Sequence, residues 1–209
     1  MLPELPKPEP RWPALAGMLA IGGIFLALPE PLTFGPNWLL LAVILPLAAG
    51  TVASHQSGML TTNKLMGYSL SAVVTIALAW SLGALINGLP SHREPAIVLL
   101  RAAMALWVSN ILVFATWYWR LDAGGPYQRD VRGKHVDGAF LFPQMLIHKD
   151  RYWAPGFIDY LHLAFNTSTA FSPTDVAPLT RWAKMLMMIQ SLISLLCIVV
   201  LAARAVNVL

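Results

Sequence analysis

The sequence predicts an all-α integral membrane protein, with five transmembrane helices and a short re-entrant helix-loop before the last. Three observations carry this. Only 11% of the 209 residues are charged while 57% are hydrophobic, whereas a soluble domain carries about 25% charged residues. Five runs are free, or nearly free, of Asp, Glu, Lys and Arg, and each approaches or exceeds the about 20 helical residues needed to cross a hydrocarbon core of ~30 Å. Trp and Tyr gather at the ends of these runs, where amphipathic rings sit at headgroup level.

The first run, residues 12–28, opens on Trp12 and Pro13 and closes at Pro29, Glu30 and Pro31. Prolines and acidic residues precede it where a signal peptide has a basic region, and no small-x-small cleavage site follows, so it is expected to stay in the membrane. The second, residues 36–53, starts with Pro36 in a first-turn position and holds Pro46, which is expected to kink it. The third, residues 65–89, lies between Lys64 and Pro90. The fourth starts near Pro95 and ends in Trp117, Tyr118, Trp119 and Arg120. Arg101 lies about two turns into it, close enough to the interface for its stem to carry the charge out. The fifth, residues 185–203, sits between Lys184 and Arg204.

These runs divide the chain into an N-terminal membrane region, residues 1–93, with three helices, and a second module, residues 94–209. The module comprises an outer helix, a polar loop at 120–155, a short helix and polar loop at 157–176, and an inner helix at 180–209. Within the polar loop, residues 122–130 are turn-rich and 133–143 fit a short hairpin or an extended loop.

Charge and chemistry narrow the function classes. The net charge of +4 and the pI of about 9.5 come from basic residues placed between apolar runs, as flanking charge does, and not from a nucleic-acid patch interleaved with aromatics. The single cysteine, Cys197, lies inside the last run and supplies neither a disulfide nor a multi-cysteine metal site. His135, Asp137, His148 and Asp150 are of metal-binding type, but two His-x-Asp pairs lack the spacing of a specific site. Ser168 and Ser172 with His162 and Asp159 or Asp175 make a hydrolase inventory without a Gly-x-Ser-x-Gly elbow. No enzyme activity, cofactor or metal is expected.

The most informative stretch precedes the last helix. Residues 157–165 span about 13 Å as a helix, enough to enter the membrane and too little to cross it. The residues after it, from Thr167 to Asp175, are expected to be non-helical backbone at membrane depth, allowed where protein or a water-filled cavity satisfies it. Pro173 and Pro178 interrupt any continuous helix into the last run.

From Asp159 to Asp175 the sequence resembles the pore helix and filter of the tetrameric potassium-channel superfamily, whose pattern is T-x-T-T-V-G-Y-G-D. Thr167, Thr169 and Asp175 fall on the matching Thr, Thr and Asp, and the last run takes the place of the inner helix. The chain is also similar to uncharacterised bacterial integral membrane proteins that carry a D-x-L-x-x-A-F…F-x-x-x-D segment before a last helix. Ser172 and Thr174 stand where the family has glycines, and Pro173 where it has tyrosine. Proline fixes φ near −65°, and serine and threonine reach positive φ less readily than glycine, so a path of consecutive carbonyls gives way to hydroxyls.

The resemblance implies a channel-like pore, a homotetramer in a bacterial inner membrane, passing monovalent cations with weak selectivity. Its lining would be Thr167, Ser168, Thr169, Ala170, Phe171, Ser172, Pro173, Thr174 and Asp175. The alternative is a non-conducting scaffold or partner-binding protein with a degenerate pore-module fold, and a membrane-embedded enzyme comes third. Membrane lipid is the expected partner in every case. Five spans place eleven of the fourteen Lys and Arg residues on one side, leaving Arg93, Arg101 and Arg204 on the other. The positive-inside rule makes the crowded side cytoplasmic, so the filter-like loop would open inward, opposite to that of potassium channels.

Overall fold

The computed structural model describes residues 9–88, 95–132, 138–147, 153–169 and 175–205. Among the described residues the regular structure is helical, apart from one pair of two-residue strands. Helix α1 (Trp12–Leu26) has Pro13 in its first turn, where the missing N–H costs nothing. A single 3₁₀ turn at Glu30–Leu32 follows, then α2 (Leu39–Gln56), which carries Pro46 inside it. α3 (Leu60–Gly88) starts after a short turn in which Gly58 takes a left-handed φ of 67°. The turn is fixed from both sides, because the Asn63 amide donates to the Thr51 carbonyl of α2 at 2.6 Å. That bond explains why α3 begins at Leu60 and takes in polar residues 61–63, ahead of the apolar run that starts at Leu65.

α4 (Ala96–Leu121) is the centre of the bundle. It packs on α1, α3, α7 (Phe157–Thr169) and α8 (Arg181–Ala205), while α2 packs mainly on α1 and α3. Its buried face includes Leu99, Leu106, Val113 and Phe114, and the core continues through Ile21, Leu70, Val74 and Leu163. Between α4 and α7 lie α5 (Pro126–Arg132), strand β1 (Phe140–Leu141) and α6 (Pro143–Ile147).

Four helices, α2, α3, α4 and α8, are long and apolar enough to cross a membrane. α1 is apolar but shorter, at 15 residues. The chain is therefore a membrane protein by the length and composition of its helices. Arg101 lies exposed on the second turn of α4, and Cys197 is fully buried between helices.

Two features depart from the sequence reading. Of the 133–143 segment, expected as a short hairpin or an extended loop, residues 133–137 lie outside the described residues, and the described part forms no pairing within itself. Instead, β1 pairs antiparallel with β2 (Ala177–Pro178), Phe140 opposite Pro178, and the Leu179 N–H donates to the Ala139 carbonyl at 2.7 Å. The loop is also less exposed than its polarity implies: Asp122, Arg129, Ala139, Phe140 and Phe142 are all buried. Phe140 is the reason, since Tyr118, Tyr160 and Trp182 pack around it with ring centroids 5.1, 6.4 and 6.0 Å away.

Candidate functional site at the base and tip of the short helix

α7 is the element the sequence singles out, and the structure surrounds it with polar groups at both ends. Its N-terminal end lies at the end of α4. Asp159 accepts from the Gly156 N–H at 2.8 Å, satisfying one of the free donors of the first turn. One turn of the helix is then anchored by Tyr160, whose hydroxyl donates to Asp122 Oδ2 at 2.6 Å. The other oxygen of Asp122 accepts from the Ala139 N–H at 2.5 Å. Burial pushes the Tyr160 phenol well above its ordinary value, with the Arg129 charge pulling it down and the Asp122 carboxylate pushing it further up. The phenol therefore stays protonated and keeps donating.

The chain makes this possible by reversing sharply after α4. Ala123, Gly124 and Gly125 all have positive φ, at 50°, 82° and 94°. A side chain on Gly125 would press to 2.8 Å of the Arg120 carbonyl, so glycine is required there on two counts. The reversal carries Arg129 back under the end of α4. Its guanidinium donates to the carbonyls of Trp119 and Asp122, each at 2.9 Å, and to Glu9 Oε2 at 2.9 Å. It also lies over the Tyr160 ring, 5.3 Å from the centroid. Glu9 accepts in turn from the Trp119 indole at 2.5 Å. Arg11 bonds Asp130 at 2.7 Å, and the Glu9 N–H bonds the same carboxylate at 3.0 Å. The segment before α1 is thus strapped to the end of α4 and to α5, whose Arg129 lies over the Tyr160 ring of α7.

Replacing Tyr160 with phenylalanine removes a hydroxyl donor to the buried Asp122 carboxylate. Hydrogen bonds to charged groups contribute about 1.5–3 kcal/mol, and a loss of that size is expected in thermal melting of the detergent-solubilised protein. A variant as stable as the parent would show that Asp122 has no need of this partner.

At the tip, the helix runs further than its sequence predicts. Residues Thr167, Ser168 and Thr169 are helical, not the extended backbone expected of a filter. Serine, threonine and asparagine are poor helix formers, and here neighbouring helices hold them in place. Gln190 on α8 donates from Nε2 to the Ala164 carbonyl and the Ser168 hydroxyl, both at 2.7 Å. Its Oε1 accepts from the Tyr118 hydroxyl at 2.5 Å. Asn110 on α4 donates to the Gln190 carbonyl at 3.2 Å. Ser191 donates to the Thr167 carbonyl at 3.3 Å, and Ser194, itself receiving the Trp107 indole N–H at 2.9 Å, donates to the Ser168 carbonyl. Thr167 and Thr169 bond carbonyls of their own helix, Leu163 and Asn166.

The sequence-predicted lining is therefore only partly brought together. Thr167 and Ser168 are buried within the α4–α7–α8 packing, and Asp175 is exposed where the chain approaches β2. Ala170, Phe171, Ser172, Pro173 and Thr174 lie outside the described residues, as do His135, Asp137, His148 and Asp150. The hydrolase inventory is not assembled in the described part: Ser168 is bonded to Gln190, Asp159 to Gly156, and His162 faces Asn166.

Sequence reasoning missed Glu9, Arg129, Asp122, Asn110 and Gln190. Only two signals pointed to them: polar residues inside otherwise apolar runs, for Asn110 and Gln190, and an Asp directly after a spanning run, for Asp122. A scan of the chain against protein-family models finds no match, and neither curated proteins nor solved structures match it.

Proposed function

We propose that the chain is a five-span membrane protein in which α7 is a re-entrant half-helix acting as a fixed wedge, so that a pore-module layout serves as a non-conducting scaffold. The observation that carries this reading is the use made of the α7 tip. The Thr167 and Ser168 carbonyls, groups of the kind that face the ion in a carbonyl filter, accept from Ser191 and Ser194 of α8. A second observation agrees with it. Beyond Lys184 in its first turn, the exposed face of α8 from Met185 to Val199 is apolar, with Met188, Leu192, Leu195 and Leu196 outward, and suits lipid chains.

The re-entrant form rests on the ends of α7. Tyr160 bonds Asp122 just past α4, Ser168 lies beside Asn110, about 16 Å back along α4, and β2 pairs with β1 near Asp122 again. In this reading α1 is the fifth span. At about 22 Å it falls short of the hydrocarbon core, a mismatch that local thinning and its flanking Trp12 and Arg11 accommodate. Positive-inside charge then places the Arg11, Lys64 and Arg129 end in the cytoplasm, and a bacterial inner membrane is the compartment that fits.

One observation favours the channel reading instead. The described part of α7 ends at Thr169, beside the middle of α4, and the carbonyl end of a half-helix at such depth attracts cations. Flux separates the two. Liposomes holding the intact protein are expected to pass K⁺ and Na⁺ no faster than protein-free liposomes, and Thr169→Ala and Asp175→Ala to change nothing. Flux abolished by either substitution, together with a four-fold cross-linked species, would establish the weakly selective homotetrameric channel.

A further inference from the structure

Beside the α7 base, two adjoining cavities of about 200 and 180 Å³ open between α1, α2, α3 and the end of α4. The first is lined on its polar side by Arg11, His55, Asn63, Lys64, Tyr68 and Arg120, and among the described residues no Asp or Glu lines either cavity. Arg120 is the unusual member. Its Nε is buried and has no hydrogen-bond partner among the described residues. The ion pairs in that part of the chain are Arg11–Asp130 and Arg129–Glu9, so Arg120 belongs to neither. It rests against the Trp119 ring at 5.3 Å.

The position of the guanidinium is set by the backbone of α3. A Cβ added at Gly67 would come within 1.8 Å of Arg120 Nη1 and 2.5 Å of Cζ, so glycine leaves the space that the group fills. A half-buried guanidinium with no counter-charge among the described residues is costly at the membrane edge, and a fork of N–H donors beside Lys64 and Arg11 matches the oxygens of a phosphate. The second cavity shares Arg11, His55, Asn63 and Arg120 with the first, and it continues between apolar Ala14, Leu15, Val52 and Trp119. A charged mouth leading into an apolar groove between helices suits a molecule that is anionic at one end and hydrocarbon at the other.

We propose that this cleft binds the phosphate headgroup of an anionic phospholipid, with Arg120 and Lys64 on the phosphate and an acyl chain along the α1–α2 groove. Basic pockets between helices on the cytoplasmic side bind such headgroups. The inference is independent of whether α7 conducts.

The test uses the full chain in neutral detergent, titrated separately with short-chain phosphatidylglycerol, short-chain phosphatidylcholine and inorganic phosphate. Native mass spectrometry counts bound lipid, and tryptophan fluorescence follows melting. Phosphatidylglycerol is expected to bind and raise Tm where phosphatidylcholine does neither. Lys64→Gln, at an exposed position, is expected to weaken that binding about fivefold, and Gly67→Ala, which displaces the guanidinium, more than about tenfold. Equal retention of the two lipids, or phosphatidylglycerol affinity unchanged in Lys64→Gln, overturns the proposal. A Tm rise with inorganic phosphate equal to that with phosphatidylglycerol overturns the lipid assignment and makes free phosphate the ligand. Should Gly67→Ala not fold, Lys64→Gln decides alone.

Discussion

Arg129→Met is expected to destabilise the protein by about 3–5 kcal/mol, the range for removing one partner of a buried ion pair. The side chain is 2% exposed, and its guanidinium bonds two carbonyls and a carboxylate. Methionine keeps much of the volume and none of the donors. Glu9 then sits beside the Trp119 indole without its counter-charge, and the Trp119 and Asp122 carbonyls at the end of α4 lose a donor. The segment before α1 is expected to loosen with it, since Glu9 is one of its two anchors. Thermal melting in detergent measures the first effect, and protease sensitivity ahead of Trp12 the second. Glu9→Gln, which keeps the indole as a donor to its carbonyl oxygen, is expected to cost less. A loss under about 1 kcal/mol in Arg129→Met would place this pair with solvent-exposed bridges and remove the strap from the account of α7.

Gln190→Leu should be the most damaging change within the membrane. One side chain there makes three bonds, accepting from Tyr118 and donating to Ala164 and Ser168. Hydrogen bonds between helices in a bilayer average about 0.6 kcal/mol and reach about 1.7. Three of them, with the buried Tyr118 hydroxyl left unpaired, give an expected loss of about 2–3 kcal/mol. Tyr118→Phe alone is expected to cost about 1 kcal/mol. The double variant should then fall short of the sum, because the hydroxyl that leucine orphans is already gone. Strict additivity in refolding or melting measurements would mean that the two residues do not act as one unit. If the loss also raises ion leakage through liposomes, the wedge reading gains a direct link between its anchoring and its tightness.

The spans were legible in the sequence because a bilayer imposes a demand that short-range composition records. Each crossing helix needs an unbroken apolar run, and α2, α3, α4 and α8 follow those runs to within a few residues. The ends were less legible. α3 begins at Leu60, ahead of its apolar run, because Asn63 caps onto a carbonyl of α2, and α8 begins at Arg181, where Thr180 Oγ1 accepts from the Ala183 N–H at 3.4 Å. Such bonds leave no hydropathic trace.

The charged residues were harder still. Arg129 and Asp122 sit in a loop whose composition reads as solvated, and only the positive-φ reversal at 123–125 turns them inward, under α4 and against α7. Their burial depends on Glu9, over a hundred positions away, and on the Phe140 aromatic cluster. The interval from Phe157 to Thr169 shows the same division. Its apolar start and hydroxyl-rich finish mark by themselves a helix shorter than a membrane crossing, at 13 residues. Whether Thr167 and Ser168 would be extended backbone or one more turn of helix was decided by tertiary structure alone. Local propensity disfavours that turn, and Gln190, Ser191 and Ser194 supply the donors that hold it.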